Sequence, residues 1–195
     1  MKDYIPTINI SSLLNKNFNS IASKKTIKKI ENACFEIGFF QITSHGINKK
    51  SINDIIGVGN LFFDSSIKNK LKLSPKKWNP LNKNIYRGYF PNNVNGKEGL
   101  DIGDPTVTKK IALKLKSPYV EYLNLGKFFN KKSIKIMDNY FDQMFILGEI
   151  LFKSIIQLYK KDVKNYKLAF SRLKTLSTLR FNCYPNQSKP VEISK

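Results

Sequence analysis

A single histidine, His45, bounds the chemistry that this chain of 195 residues can hold. A metal site built on two histidines cannot be assembled within one copy. A Ser-His-Asp triad would have to rest on His45 alone, and no nucleophile elbow accompanies it. The two cysteines, Cys34 and Cys183, are far apart and lack the CxxC spacing of a zinc site. No GxxxxGK[ST] loop occurs, and Gly57-Val58-Gly59 lacks both the third glycine and the preceding strand of a dinucleotide fingerprint. Asp101 and Asp104 have the donor type of metal carboxylates, but without histidines beside them they read as loop and turn acceptors. No intact catalytic constellation is present.

The remaining polar residues of interest must be placed by their elements. Leu176 to Pro185 is a β-prone run, and residues two apart on a strand share a face, so Arg180, Asn182 and Tyr184 point the same way. Arg87 and Tyr89 fall in the span 74–133, where prolines at 75, 80, 91, 105 and 118 and clustered Asn and Gly predict a loop-rich stretch with at most short strands. An irregular stretch of that length commonly walls or covers a site.

Around these lie regular elements. Ile5 to Ile10 alternates after a proline and predicts a short edge strand. Ser20 to Ile37 carries Ile27, Ile30, Cys34 and Ile37 at helical spacing, with Gly38 as the stop. Phe39 to Thr43 is a second strand, closed by Ser44-His45-Gly46. A helix from Lys49 to about Ser65 follows, with Ile52, Ile55, Ile56, Phe62 and Phe63 on one side. The clearest signal is Ile134, Met137, Phe141, Met144, Gly148, Leu151, Ile155 and Leu158, a helix of roughly 25 residues with one buried face. Gly148 is expected to admit close approach of another element. A shorter helix is predicted over Val163 to Leu173. Both cysteines sit in apolar periodic segments and are expected to be buried thiols rather than a disulfide.

The charge balance is 34 basic against 14 acidic residues, a formal +20. Only Arg87, Arg172 and Arg180 are arginine, and specific phosphate and base recognition favours arginine's fork. The lysines are scattered, and Lys, Asn and Ile all have A/T-rich codons, so biased composition accounts for the charge and no specific nucleic-acid partner is expected. No apolar run approaches the ~20 residues of a membrane span. Acid and proline near the N-terminus replace a signal peptide's apolar segment, so a cytoplasmic protein is expected.

The ordered motifs carry a resemblance. The Ile5 to Ile10 strand and its helix, then "ACFEIGFFQITSHGI" (Ala33 to Ile47), "YRGYFP" (Tyr86 to Pro91), "KEGLDIGDP" (Lys97 to Pro105) and "LRFNCYP" (Leu179 to Pro185), resemble the isopenicillin N synthase-like Fe(II)/2-oxoglutarate-dependent dioxygenases. The resemblance implies an α+β fold, a helical N-terminal region packed on an incomplete double-stranded β-helix, or jelly roll. It implies a non-haem dioxygenase N-terminal domain over 1–125, and over 126–195 the long helix and first strand of the jelly-roll domain. Fe(II) and 2-oxoglutarate are implied for the complete protein, an oxidoreductase acting on a small molecule. The family's His-x-Asp, distal His and Arg-x-Ser lie downstream of the Tyr-Pro element, and neither motif occurs here. The chain by itself is therefore expected to be a truncated form that is inactive, binds neither cofactor and is prone to self-association. By the same resemblance Tyr184 and Asn182 lie at the 2-oxoglutarate carboxylate; the alternative is that they cap and satisfy the barrel edge. Arg87 and Tyr89 fall in the segment where family members that take amino-acid or peptide substrates use an arginine to grip a carboxylate, so the resemblance implies that both bind substrate, the alternative for Arg87 being a surface arginine. His45 corresponds to a structural histidine bonded to nearby backbone. A non-catalytic basic binding module that keeps the fold, taking an anionic ligand or nucleic acid, is the competing functional reading.

Overall fold

A computed structural model describes residues 5–91, 96–115, 117, 120–158, 170–173 and 176–184. Its contacts divide the chain into two compact units, Met1–Ile52 with Asp142–Phe170, and Asn53–Phe141 with Ser171–Lys195. Two helices, α2 (Lys49–Phe63) and α5 (Lys131–Leu158), each contribute residues to both.

The first unit opens with β1 (Thr7–Asn9), followed by a single 3-10 turn at Ser11–Leu13, α1 (Ile21–Glu36) and β2 (Gln41–Thr43). The predicted edge strand is parallel to β2, with Ile8 opposite Ile42. The Ser20 side chain caps α1 by accepting from the Ser23 N–H at 3.1 Å. At the other end Gly38 takes φ +93° and donates its N–H to the Ala33 carbonyl at 3.0 Å, the left-handed stop that glycine makes without strain. Ile8, Ile10, Leu13, Ile27, Ile30, Ala33, Leu147 and Ile150 form the core. Cys34 is exposed, contrary to expectation, because the buried face of α1 runs through Ile30 and Ala33.

The second unit holds the rest of α2, a short helix α3 (Ile67–Lys70), strands β3 (Gly88–Phe90) and β4 (Glu98–Ile102), α4 (Lys109–Leu115), the start of α5, and β5 (Leu179–Cys183). The loop-rich reading of 74–133 holds apart from α4, a helix that the sequence did not suggest. β3, β4 and β5 form an antiparallel sheet in that order. Its core joins Ile55, Val58 and Phe62 of α2 to Leu73, Tyr89, Leu100, Ile102, Phe129 and Met137. Phe62 sits at the centre, in ring contact with Phe63, Tyr89, Phe128 and Phe129 at centroid distances of 4.9 to 5.7 Å. Ile56, expected on that side, is 54% exposed.

α5 departs from the even stripe that the sequence suggests. Met137 and Phe141 are buried, but Met144, next on the same line, is 42% exposed, and the later buried positions are Leu147, Ile150 and Ser154. The two halves of α5 belong to different units, so one continuous stripe is not what either core needs. Among the described residues a Cβ added to Gly148 would meet only the Phe170 ring, at an ordinary 3.9 Å, so no close approach by a described residue depends on this glycine. Of the predicted 163–173 helix, 163–169 lie outside the described residues, and Arg172 and Leu173 are in a turn.

The α+β class is observed. Among the described residues the sheets have two and three strands, short of a double-stranded β-helix. No helix among them is long and apolar enough to cross a membrane.

Candidate functional site

The candidate site is the three-stranded sheet of the second unit, where the sequence places most of its polar residues of interest. In register, Tyr89 faces Leu100 and Leu100 faces Phe181, a row that turns towards the core. The neighbouring row runs Gly88, Asp101, Arg180, and the next runs Phe90, Gly99, Asn182. Leu179, Phe181 and Cys183 are half-buried, while Arg180, Asn182 and Tyr184 are exposed, so the alternation expected of this run is observed. Phe181 is seated against α2 at Gly59, where an added Cβ would lie 2.9 Å from its ring. That contact holds the inward face of β5 and leaves Asn182 and Tyr184, the latter 70% exposed, on the outward one.

All three arginines of the chain tie the segment 172–180 to residues 87–104. Arg180 donates two hydrogen bonds to Asp101, at 2.6 and 2.5 Å. Arg172 donates two to Asp104, at 2.8 and 3.0 Å, in the bidentate geometry that suits a guanidinium and a carboxylate. Arg87 donates to Thr178 Oγ1 at 2.5 Å and to the Leu176 and Ser177 carbonyls at 3.4 Å. It is 7% exposed, and burial pushes its guanidinium below its ordinary range, an effect that Asp101 and Glu121 oppose.

Asp104 is a turn acceptor as expected, taking the Thr106 N–H at 2.8 Å. Burial pushes its carboxyl up, and the hydrogen bonds from Arg172 and Thr106 outweigh that, leaving it below the usual range. Asp101 is different from the expectation. It is a strand residue, 3% exposed, and it is an ion-pair partner rather than a loop acceptor.

Tyr89 is 1% exposed, and its hydroxyl donates to Glu98. The same Glu98 oxygen accepts from Lys70 Nζ at 2.8 Å, and Lys70 also donates to the Phe63 carbonyl at 3.1 Å. Burial and the Glu98 carboxylate both push the Tyr89 hydroxyl well above its ordinary range. Cys183 lies opposite Glu98, half-buried, and burial followed by Glu98 raises its thiol as well. This Lys70–Glu98–Tyr89 group was not foreseen. Lys70 and Glu98 are 28 positions apart, and nothing local marks a buried lysine within a lysine-rich chain.

The structure therefore separates the four residues singled out by the sequence. Asn182 and Tyr184 stand on an open face, while Arg87 and Tyr89 are inside with their polar atoms engaged. His45 is half-buried at the end of β2, and its Nδ1 accepts from the Ile47 N–H at 3.2 Å, the backbone-bonded role expected of it. Iron of the kind implied needs three protein donors, two of them imidazoles. The chain has one imidazole with one nitrogen engaged, and no group of three His, Cys, Asp or Glu among the described residues is placed to hold a metal. The residues present do not fit that metal.

Curated relatives match this chain in sequence, and solved structures match it in fold. The chain is 34% identical over 89 residues to a 2-oxoglutarate-dependent dioxygenase, tropC, of Talaromyces stipitatus, covering 46% of this chain and 26% of the relative. It is 31% identical over 88 residues to isopenicillin N synthase of Streptomyces clavuligerus, covering 45% of this chain and 25% of the relative. The full-length Neurospora crassa T7H, solved with alpha-KG and 5-formyluracil, matches in fold with a TM-score of 0.66 at 19% identity, covering 93% of this chain and 52% of that one. The chain thus spans about a quarter to half the length of these proteins. Residues 5–138 match the family model for the N-terminal region of non-haem dioxygenases in morphine synthesis, and the chain belongs to the isopenicillin N synthase-like family of Fe(II)/2-oxoglutarate-dependent dioxygenases.

Proposed function

We propose that this chain forms the N-terminal region, over 1–125, and the long helix and first jelly-roll strand, over 126–195, of an oxygenase that oxidises a small molecule with Fe(II) and 2-oxoglutarate. In this reading the iron-binding half of the enzyme is not among these residues, and the chain does no chemistry by itself. The observation that carries the reading is the outward row of β5. Asn182 and Tyr184 are exposed beside a strand whose position is set by Arg180–Asp101 and by Phe181 on Gly59. An amide and a phenol two residues apart on one strand face can both donate to a carboxylate, which suits them to the 2-oxoglutarate side of such a site. Arg87 and Tyr89 enter this proposal differently. Their polar groups are engaged inside the sheet, so their part in substrate binding would be to hold the sheet in place unless those bonds exchange for substrate contacts.

The gene itself provides the test. A reading frame that continues beyond codon 195 into His-x-Asp and a later histidine supports the proposal. An immediate stop codon in a gene that is transcribed and translated would overturn it in favour of the basic binding module.

A further inference from the structure

We propose that the second unit carries a binding site for a small amphipathic anion, a phosphate monoester or carboxylate bearing an apolar chain or ring. The site is a cavity of about 430 Å³ walled by the 81–84 turn, α4 and the 121–127 segment. That volume is within the range of small-molecule sites, which is about 300 to 1,000 Å³. The inference does not depend on the oxygenase reading and uses none of its residues.

Three features single this cavity out on a chain that is rich in lysine everywhere. The first is an excess of positive charge. Lys72, Lys83, Lys109 and Lys127 line it, and the one acid among the described lining residues, Glu121, is already committed. Its carboxylate accepts the backbone N–H groups of Ile85, Tyr86 and Arg87 at 2.7, 2.9 and 3.0 Å. Four lysines against one carboxylate leave a net positive field inside a concave wall, which concentrates anions more than the same charges on an open surface.

The second feature is exposed apolar lining. Leu81 is 91% exposed and Leu113 is 66% exposed, and both border the cavity. Lysines alone would suit any anion, but two large exposed leucines beside them favour one with an apolar body, whose burial gains roughly 25 cal/mol per Å². The third is a built wall. Asn82, 7% exposed, donates to the Lys72 and Ser74 carbonyls at 3.0 and 2.6 Å and accepts from Lys127. The turn that carries Leu81 and Lys83 is thereby held in place before a ligand arrives, which lowers the ordering cost of binding.

Octyl phosphate, inorganic phosphate and octanol are suitable probes, titrated calorimetrically into the 195-residue chain. Octyl phosphate is expected to bind saturably at one site, with the other two much weaker because each has only half of the recognised chemistry. Replacing Lys72, Lys83 and Lys109 with Gln should weaken octyl phosphate roughly tenfold, the combined effect of three exposed ion contacts. The charge-matched variant K24Q/K25Q/K29Q, on the exposed side of α1, should leave it unchanged. L81S/L113S should weaken octyl phosphate and spare inorganic phosphate. All these side chains are exposed, and a thermal melt of each variant verifies folding. Equal losses in the two lysine variants would mean that net charge alone is read, and the proposal would fall. It would fall equally if the leucine pair had no effect, or if only phosphatidylserine vesicles bound while octyl phosphate did not.

Discussion

Asp101 and Arg180 are register partners across the β4–β5 ladder, and the carboxylate of one is buried while the guanidinium of the other is largely in solvent. Their side chains are 5% and 55% exposed. The burden of the pair therefore rests on Asp101, which also opposes the buried charge of Arg87. Asp101→Asn removes an anion that serves two guanidinium groups and is expected to cost about 2 kcal/mol in urea unfolding, below the roughly 3–5 kcal/mol of a fully buried pair because one partner is solvated. Arg180→Gln should cost less than half as much. Equal losses from the two would show that Arg87 gains nothing from Asp101.

Three glycines make a graded set. An added Cβ meets nothing at Gly57, reaches the Phe181 ring at 2.9 Å from Gly59, and runs into the Leu73 carbonyl at 2.0 Å from Gly88, where φ is also +123°. Gly57→Ala should stabilise α2 by about 0.5–1 kcal/mol, the helix-propensity gain. Gly59→Ala should instead lose about 1–3 kcal/mol by overpacking, and Phe181→Leu should recover part of that loss in a double-mutant cycle. Gly88→Ala should abolish cooperative folding, since neither the backbone conformation nor the Leu73 carbonyl can give way cheaply. Thermal melts of the three variants check the order.

The legible parts of this molecule were those governed by local rules. Ser20 and Gly38 mark the ends of α1 through their own side-chain and backbone chemistry, and the alternation of β5 follows from strand geometry. What sequence reading missed was set by distant partners. Cys34 fits the helical period of α1 as well as Ala33 does, and only the position of the core decides between them. Met144 continues a valid stripe, but α5 serves two cores and the stripe is not kept. Arg87 looked like a residue free to meet a ligand because Thr178, its partner, lies 91 positions away. The same separation hid Asp104–Arg172 and Lys70–Glu98, so the polar residues of the site were nameable while their commitments were not.

Stability should fall at both ends of the pH scale for separate reasons. Asp104 has a folded pKa below its ordinary value, so its contribution is complete above about pH 4 and is lost as pH falls through the folded value. Asp104→Asn should therefore flatten the acid limb of a urea-midpoint profile while lowering the neutral plateau. Tyr89 is raised, so its contribution is complete below about pH 10 and declines as pH climbs beyond that towards the folded value. Tyr89→Phe should flatten the alkaline limb. A profile in which neither variant differs in shape from the parent would remove these two groups from the account.

Iron binding gives a sharper test of what the chain contains. With His45 as the only imidazole and its Nδ1 engaged by Ile47, anaerobic titration with Fe(II) and 2-oxoglutarate should give no stoichiometric isotherm. His45→Gln should leave that result unchanged and cost about 1 kcal/mol of stability for the lost backbone contact. A one-to-one Fe(II) isotherm abolished by His45→Gln would assign the histidine to a metal after all.

The last expectation concerns β5 as an edge. Among the described residues it pairs with β4 and with no other strand, and exposed apolar or aromatic side chains flank it, Leu176 at 58% and Tyr184 at 70%. A strand edge with apolar neighbours is a template for pairing with another chain. The +20 charge opposes close approach, and its repulsion is screened within about 10 Å at 0.1 M salt. The 195-residue chain is accordingly expected to be monomeric at low ionic strength and to form soluble oligomers as salt rises, the reverse of an assembly held by ion pairs. Size-exclusion chromatography with light scattering across a salt series measures this. Leu176→Lys, just before β5 at an exposed position, adds charge beside the edge and should suppress the oligomers without lowering the melting temperature. A monomer at every salt concentration, with a sharp cooperative melt, would show that the β5 edge is already protected.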